Sequence, residues 1–165
     1  MNKQDWNTII GNLPSPQLLQ TWEWGEVKSK YGWNPYHKVW HDGGGEVVAA
    51  AMVLERTLGV RGMAPRLRIL YTPKGPLLRD WGDPALRKRV IDDLITYGRQ
   101  RGAFLLKIDA DVPVGYGEPG AEDAEEGFVG TDMIRELKTS GWRYSNEQVQ
   151  YSNTVLLDLD ESEED

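Results

Sequence analysis

Four places in this chain of 165 residues carry side chains whose type and position could do chemistry. Asp109 closes the apolar run AFLLKID at 103–109. In open α/β sheets ligands gather at the carboxyl ends of strands, and an acid there can orient or deprotonate an amine. The bland alternative is a carboxylate that caps the following turn. Lys74, in Tyr71-Thr-Pro-Lys-Gly-Pro76, also follows a predicted strand end. It is either a point charge for phosphate or an ordinary turn residue. Lys28 comes one helical turn after Trp24 and Gly25 in LLQTWEWGEVKSKYGW (18–33), which holds three of the seven tryptophans. Surface lysines are usually solvated, and Trp22 reads as core. His37 and His41 lie four apart on a predicted strand, hence on one face. Two histidines without a third ligand make a weak metal site, so no metal is expected.

Other chemistries lack their motifs. The absence of cysteine excludes disulfides, thiolate metal sites and a cysteine nucleophile, and fits a cytoplasmic protein. There is no G-x-x-x-x-G-K-[ST] phosphate loop, no G-x-G-x-x-G fingerprint and no G-x-S-x-G elbow. An acyl-CoA loop, Q/R-x-x-G-x-G/A, should open a helix, where backbone N–H groups hold pyrophosphate. The nearest candidate, Arg99-Gln-Arg-Gly-Ala103, ends one instead, where the dipole repels anions. A CoA-dependent acetyltransferase is therefore disfavoured.

The elements that must position these residues are legible from periodicity and punctuation. Ser15-Pro16 predicts a helix start. Leu18, Leu19, Trp22, Val27 and Tyr31 continue it to Gly32. Residues 34–41 and 46–58 read as a hairpin around Asp42-Gly-Gly-Gly45. The apolar run 47–54 predicts burial on both faces. A strand at 67–72 ends in the Pro73–Pro76 turn. A helix opens at Asp83-Pro84 and stops at Gly102, with Leu86, Val90, Ile91, Leu94, Ile95 and Tyr97 on its apolar face. A buried strand follows at 103–109, then a surface loop at 110–129 with Glu122, Asp123, Glu125 and Glu126. Thr131 is read as the cap of a third helix that ends at Gly141. A last strand is predicted at 149–159. The order implies one α/β domain, a mixed sheet with helices on its faces.

Charge is segregated. Residues 1–107 hold 16 basic and 10 acidic side chains, residues 108–165 hold 3 and 16. A basic body could hold an anionic ligand despite the net charge of −7. A solvated surface with an acidic loop and tail is the plainer reading. No stretch suits a signal peptide or a membrane span.

Four stretches taken together carry more. LLQTWEWGEVKSKYGW, YTPKGPLL, GAFLLKIDADV and QYSNTVLLDLDESEED resemble, in order and spacing, the first half of the Fem family. Those are the FemA, FemB and FemX aminoacyltransferases that build the interpeptide bridge of bacterial peptidoglycan. The family pattern is a Gln-Ser/Thr-x-x-Trp-Gly-x-x-Lys helix, a Pro-Lys/Arg-Gly-Pro turn, an aliphatic strand ending in Asp, and an N-T-V/I-x-x-D-L strand. The resemblance implies a GNAT-like (acyl-CoA N-acyltransferase-like) fold without the CoA loop, no cofactor, and transfer of an amino acid from aminoacyl-tRNA to a muropeptide precursor. That precursor is UDP-MurNAc-pentapeptide or lipid II. By the same resemblance Lys28 lies near its diphosphate, Asp109 faces the peptide amine, Tyr71, Lys74 and Gly75 form the matching turn, and Trp24 packs or lines the site. An aminoacyl ester is already activated, so neither a covalent nucleophile nor a metal is required.

The resemblance also implies a GNAT-like FemAB-type subdomain at 1–157 and an acidic tail at 158–165 that precedes a second subdomain. Aminoacyl-tRNA would be a partner only with that second half present. The place of work would be the cytoplasm, at the inner membrane surface. The alternative is a non-catalytic GNAT-like module that acts in protein interaction or forms a homo-oligomer through an uncovered face.

Overall fold

The computed structural model describes residues 1–59, 67–118, 120–122, 124–126, 128–147 and 149–151. In chain order these form α1 (Lys3–Gly11), a single 3-10 turn (Leu18–Gln20), α2 (Trp22–Ser29), β1 (Asn34–His41), β2 (Val47–Leu58), β3 (Leu67–Thr72) and β4 (Leu77–Leu78). Then come α3 (Pro84–Gln100), β5 (Ala103–Ile108), the two-residue strands β6 (Gly115–Tyr116) and β7 (Glu125–Glu126), and α4 (Val129–Thr139).

β2 is the centre of the sheet. It pairs antiparallel with β1, β3 and β4, and β3 pairs in parallel with β5. Parallel neighbours need a crossover, and α3 supplies it. As the apolar run 47–54 predicts, β2 is buried on both faces. Ala49, Ala51 and Val53 join Trp40, Leu70, Leu78, Val90 and Leu94 beneath α3. Ala50, Met52 and Leu54 join Trp6, Ile10, Leu13 and Leu77 on the α1 side. Each large side chain fully removed from water here contributes about 1.5–3 kcal/mol.

Several local expectations need correction. α1 was not foreseen, although Asn2 caps it by accepting from Asp5 N–H and Trp6 and Ile10 stand one turn apart on its buried side. The helix expected from Ser15-Pro16 through Tyr31 is broken. Ser15 takes φ +52°, and Thr21 ends the 3-10 turn and restarts the chain as the cap of α2. His37 packs against Trp6 and Trp22 while His41 is exposed at the end of β1, where a register shift leaves Val48 of β2 as the extra residue. β5 is not wholly buried: Phe104 and Leu105 are 58% and 45% exposed. The 110–129 loop contains the β6–β7 hairpin. Thr131 does not cap α4, which starts at Val129; its hydroxyl donates to Val114 O at 3.3 Å. Of the strand expected at 149–159, residues 149–151 are not in a strand, and the remainder, with the 158–165 tail, lies outside the described residues.

Candidate functional site

The site is built around Gln20, which opens the tryptophan-glycine motif but was not among the expected site residues. Gln20 is fully buried. Its Nε2 donates to Pro73 O at 2.5 Å, its Oε1 accepts Met52 N–H at 2.7 Å, and its backbone oxygen accepts Trp6 Nε1–H at 2.7 Å. One residue thus ties β2 and the 73–76 turn through its side-chain amide and α1 through its backbone oxygen. A buried amide without such partners would cost about 1–3 kcal/mol. The sequence signal was its place as the first residue of the Gln-Ser/Thr-x-x-Trp-Gly-x-x-Lys pattern, in a segment where Leu18, Val27 and Tyr31 stay exposed.

The turn itself is tightly specified. Lys74 sits in the left-handed region at φ +47°, and the Gly75–Pro76 peptide is cis. A Cβ on Gly75 would stand 2.7 Å from Gln20 Nε2 and 2.9 Å from Thr72 Cγ2, so no side chain fits. The Gly75 oxygen accepts Asp109 N–H at 3.3 Å. Thr72 and Ile108 are register partners in the β3–β5 pair, which brings the residues after each strand to the same end of the sheet.

There, Tyr71 Oη donates to Asp109 Oδ2 at 3.1 Å. Burial first, and then the Asp109 carboxylate, push the Tyr71 phenol well above its ordinary range, so it stays a proton donor. The Asp109 carboxylate is thus engaged by the phenol of β3. Lys74 Nζ is paired with Asp111 Oδ1 at 2.6 Å, and Gln17 Nε2 donates to Asp111 Oδ2 at 2.8 Å. Lys74 is thus not a free point charge. Gln17 and Asp111 were not anticipated, since 94 residues separate them.

Trp24 and Lys28 form a second group. Lys28 Nζ lies 5.1 Å from the Trp24 ring centroid and has no ion pair among the described residues. The Trp24 Nε1–H is buried without a partner among the described residues. Gly25 lets α2 close on the sheet: a Cβ there would meet Met52 Sδ at 3.0 Å and Pro35 Cβ at 3.1 Å. Trp33 stands between the two groups. Its N–H donates to Lys28 O at 3.2 Å, and its ring centroid is 6.5 Å from that of Tyr71. Arg56 lies over Trp33 at 5.7 Å, another residue the motif reading passed over. So Tyr71, Lys74, Gly75 and Asp109 are brought together, Trp24 and Lys28 are brought together, and no hydrogen bond or ion pair among the described residues joins the two sets.

Other candidates fall away. Arg101, from the stretch weighed as an acyl-CoA loop, donates to both Glu55 oxygens at 2.7 and 3.0 Å and to Tyr36 Oη at 2.9 Å. Glu55 holds its guanidinium firmly charged, above the usual arginine range. His37 packs between Trp6 and Trp22, with centroids at 4.5 and 4.6 Å. Among the described residues no group of three potential ligands could hold a metal. A cleft of about 330 Å³ lies between β1 and α3, lined by Lys38, Trp40, Asp93 and Tyr97 among others. It opens on the α3 face. Tyr71 pairs with Leu54, whose side chain belongs to the opposite, α1-side core, so the cleft is not this site. No helix among the described residues is long and apolar enough to cross a membrane.

Comparison with known proteins places the fold and the family. Among solved structures, FemX superposes with a TM-score of 0.63 at 24% identity, over 86% of this chain and 30% of the FemX chain. This chain thus spans about a third of that protein's length. An acetyltransferase from Trypanosoma brucei superposes with a TM-score of 0.50 at 16% identity, over 93% of this chain and 96% of its own. The fold is GNAT-like, a mixed sheet with helices. A search of curated proteins gives no match. The sequence profile of the FemAB family matches residues 1–164, and with the four motifs lying in register along that span, this chain belongs to the FemAB family.

Proposed function

We propose that this chain is the precursor-binding part of an aminoacyl-tRNA-dependent aminoacyltransferase that extends the peptidoglycan stem peptide. The observation that carries the reading is the Tyr71–Asp109 contact at the adjoining ends of parallel β3 and β5, in a FemAB chain. Strand ends of this kind are where α/β sheets hold ligands. Tyr71 engages Asp109 Oδ2 and leaves Oδ1 to face an amine. The precursor amine loses its proton toward Asp109, its nitrogen forms an amide bond to the aminoacyl carbonyl carbon, and the ester C–O bond to the tRNA hydroxyl breaks. The released tRNA oxygen takes up a proton. Lys28, without an ion pair among the described residues and lying beside Trp24, suits the diphosphate of UDP-MurNAc-pentapeptide or lipid II. Tyr71, Lys74 and Gly75 shape the Asp109 side of the site, and Trp24 shapes the Lys28 side. The 1–157 span acts as one subdomain, in the cytoplasm at the inner membrane surface, and aminoacyl-tRNA engages it together with a second subdomain.

Calorimetry with UDP-MurNAc-pentapeptide tests this. The chain should bind, and Lys28→Ala should bind about tenfold more weakly, as expected for losing a charge-assisted phosphate contact. Equal affinities would remove Lys28 from the site. A second reading, a non-catalytic module that self-associates, draws on the exposed Phe104 and Leu105 of β5. Light scattering on the same samples separates the two. A concentration-dependent mass without binding heat favours self-association, and a monomer that binds precursor counts against it.

A further inference from the structure

We propose that Gln20 is a positioning residue, whose buried amide sets the 73–76 turn and through it the placement of Lys74 and Asp109. The inference rests on the reading above for what the turn presents, but its geometry stands independently. From Gln20 Nε2 the path runs to Pro73 O, through Lys74 in its left-handed conformation, to Gly75 O and onto the Asp109 N–H. Asp109 is then met by Tyr71. Gln17, the residue before the 3-10 turn, accepts the Gln20 N–H on its backbone oxygen at 2.9 Å. Its amide holds Asp111, the partner of Lys74. The 17–20 segment therefore grips the turn directly and the loop after β5 through Asp111.

A glutamine is demanded on chemical grounds. Met52 N–H needs an acceptor and Pro73 O needs a donor, both in the core, and a primary amide offers one of each in one plane. Leucine would fill the volume but leave both groups unpartnered. Gly75 completes the fit, because a Cβ there would occupy the space of the amide. The Trp6 indole pins the Gln20 backbone from the other side.

The test has a ligand-free arm and a ligand arm. In Gln20→Leu, hydrogen exchange at the Asp109 amide should quicken about tenfold while amides in α3 change by less than about twofold. Unchanged Asp109 protection in folded Gln20→Leu overturns the proposal. Gln20→Glu covers the case in which the leucine variant does not fold. A protonated carboxyl has one donor and one acceptor, and the partners Trp6, Met52 and Pro73 are uncharged. Protection at Asp109, taken relative to the parent at each pH, should match it at pH ~5 and fall at pH ~8, when an ionised carboxylate faces the Pro73 oxygen. A ratio flat across that range overturns the proposal. With UDP-MurNAc-pentapeptide, Gln20→Leu should bind about tenfold more weakly, and the double variant with Lys74→Ala no more weakly than Lys74→Ala alone. Additive losses would mean that Gln20 does not act through Lys74. If the unmodified chain binds no precursor, the functional reading falls, and the exchange measurements still decide the positioning role.

Discussion

Asp109 is held by its own N–H on Gly75 O and by Tyr71 on Oδ2. A carboxylate held at one oxygen, on a backbone that is itself held, discriminates by charge and direction. Asp109→Asn should therefore weaken UDP-MurNAc-pentapeptide binding about tenfold, the worth of one amine–carboxylate contact, and leave UDP-MurNAc without its peptide unchanged. Calorimetry with both ligands reads this, and an equal loss for both would place Asp109 elsewhere than at the peptide amine. The residue types were legible: an acid after an aliphatic strand, a lysine after a tryptophan-glycine pair. Their partners were not. Lys74 meets Asp111 across 37 residues, and Tyr71 meets Asp109 across 38. Such contacts arise from strand pairing, which no local spacing encodes.

The loop that carries Asp109 and Asp111 is anchored by α4. Gly130 N–H donates to Pro113 O at 3.1 Å, Thr131 donates to Val114 O, and Arg87 of α3 clasps Glu136 through Nε and Nη2 at 3.1 and 2.6 Å. A Cβ on Gly130 would stand 2.4 Å from the Pro113 oxygen, a backbone atom that cannot swing aside as a side chain could. Gly130→Ala should cost about 1–3 kcal/mol, the usual range for overpacking, read as a lowered urea midpoint with the slope unchanged. The hairpin, β3, α3 and β5 were read within a residue or two because their patterns are long or sharply punctuated. The 3-10 turn and α4 were misread for a shared reason. Ser15-Pro16 and Thr131 look like caps, but one packs into a left-handed bend and the other spends its hydroxyl on a neighbouring loop.

The two halves of the core meet differently around the molecule, and the α1 side holds an ionisable group. His37 lies between Trp6 and Trp22 with its Nε2 buried and without a partner among the described residues. Burial first, then the chain's positive amino terminus, lower its pKa. The folded protein thus binds this proton less readily than the unfolded chain does. The contribution is complete above the unfolded value near 6.5 and is lost as pH falls from there through the lower folded value. The slope is at most about 1.4 kcal/mol per pH unit for one proton. Thermal unfolding should show a midpoint that drops with acidification below about pH 6.5, and His37→Phe should flatten that segment of the curve. An unchanged curve in the variant would assign the dependence to other groups.

Composition, apolar periodicity and turn chemistry were enough for a mixed α/β sheet with helices on its faces, and four short motifs in order were enough for the family. Both are carried by local preference and by burial patterns repeated along the chain. What only the tertiary structure decided is which side chains meet: that Gln20 leaves its helix to hold the 73–76 turn, that Tyr71 reaches Asp109, and that Asp111 occupies Lys74. Those meetings follow from the register of β3 against β5 and from the cost of leaving a buried amide such as that of Gln20 unpartnered. Both are properties of the folded whole.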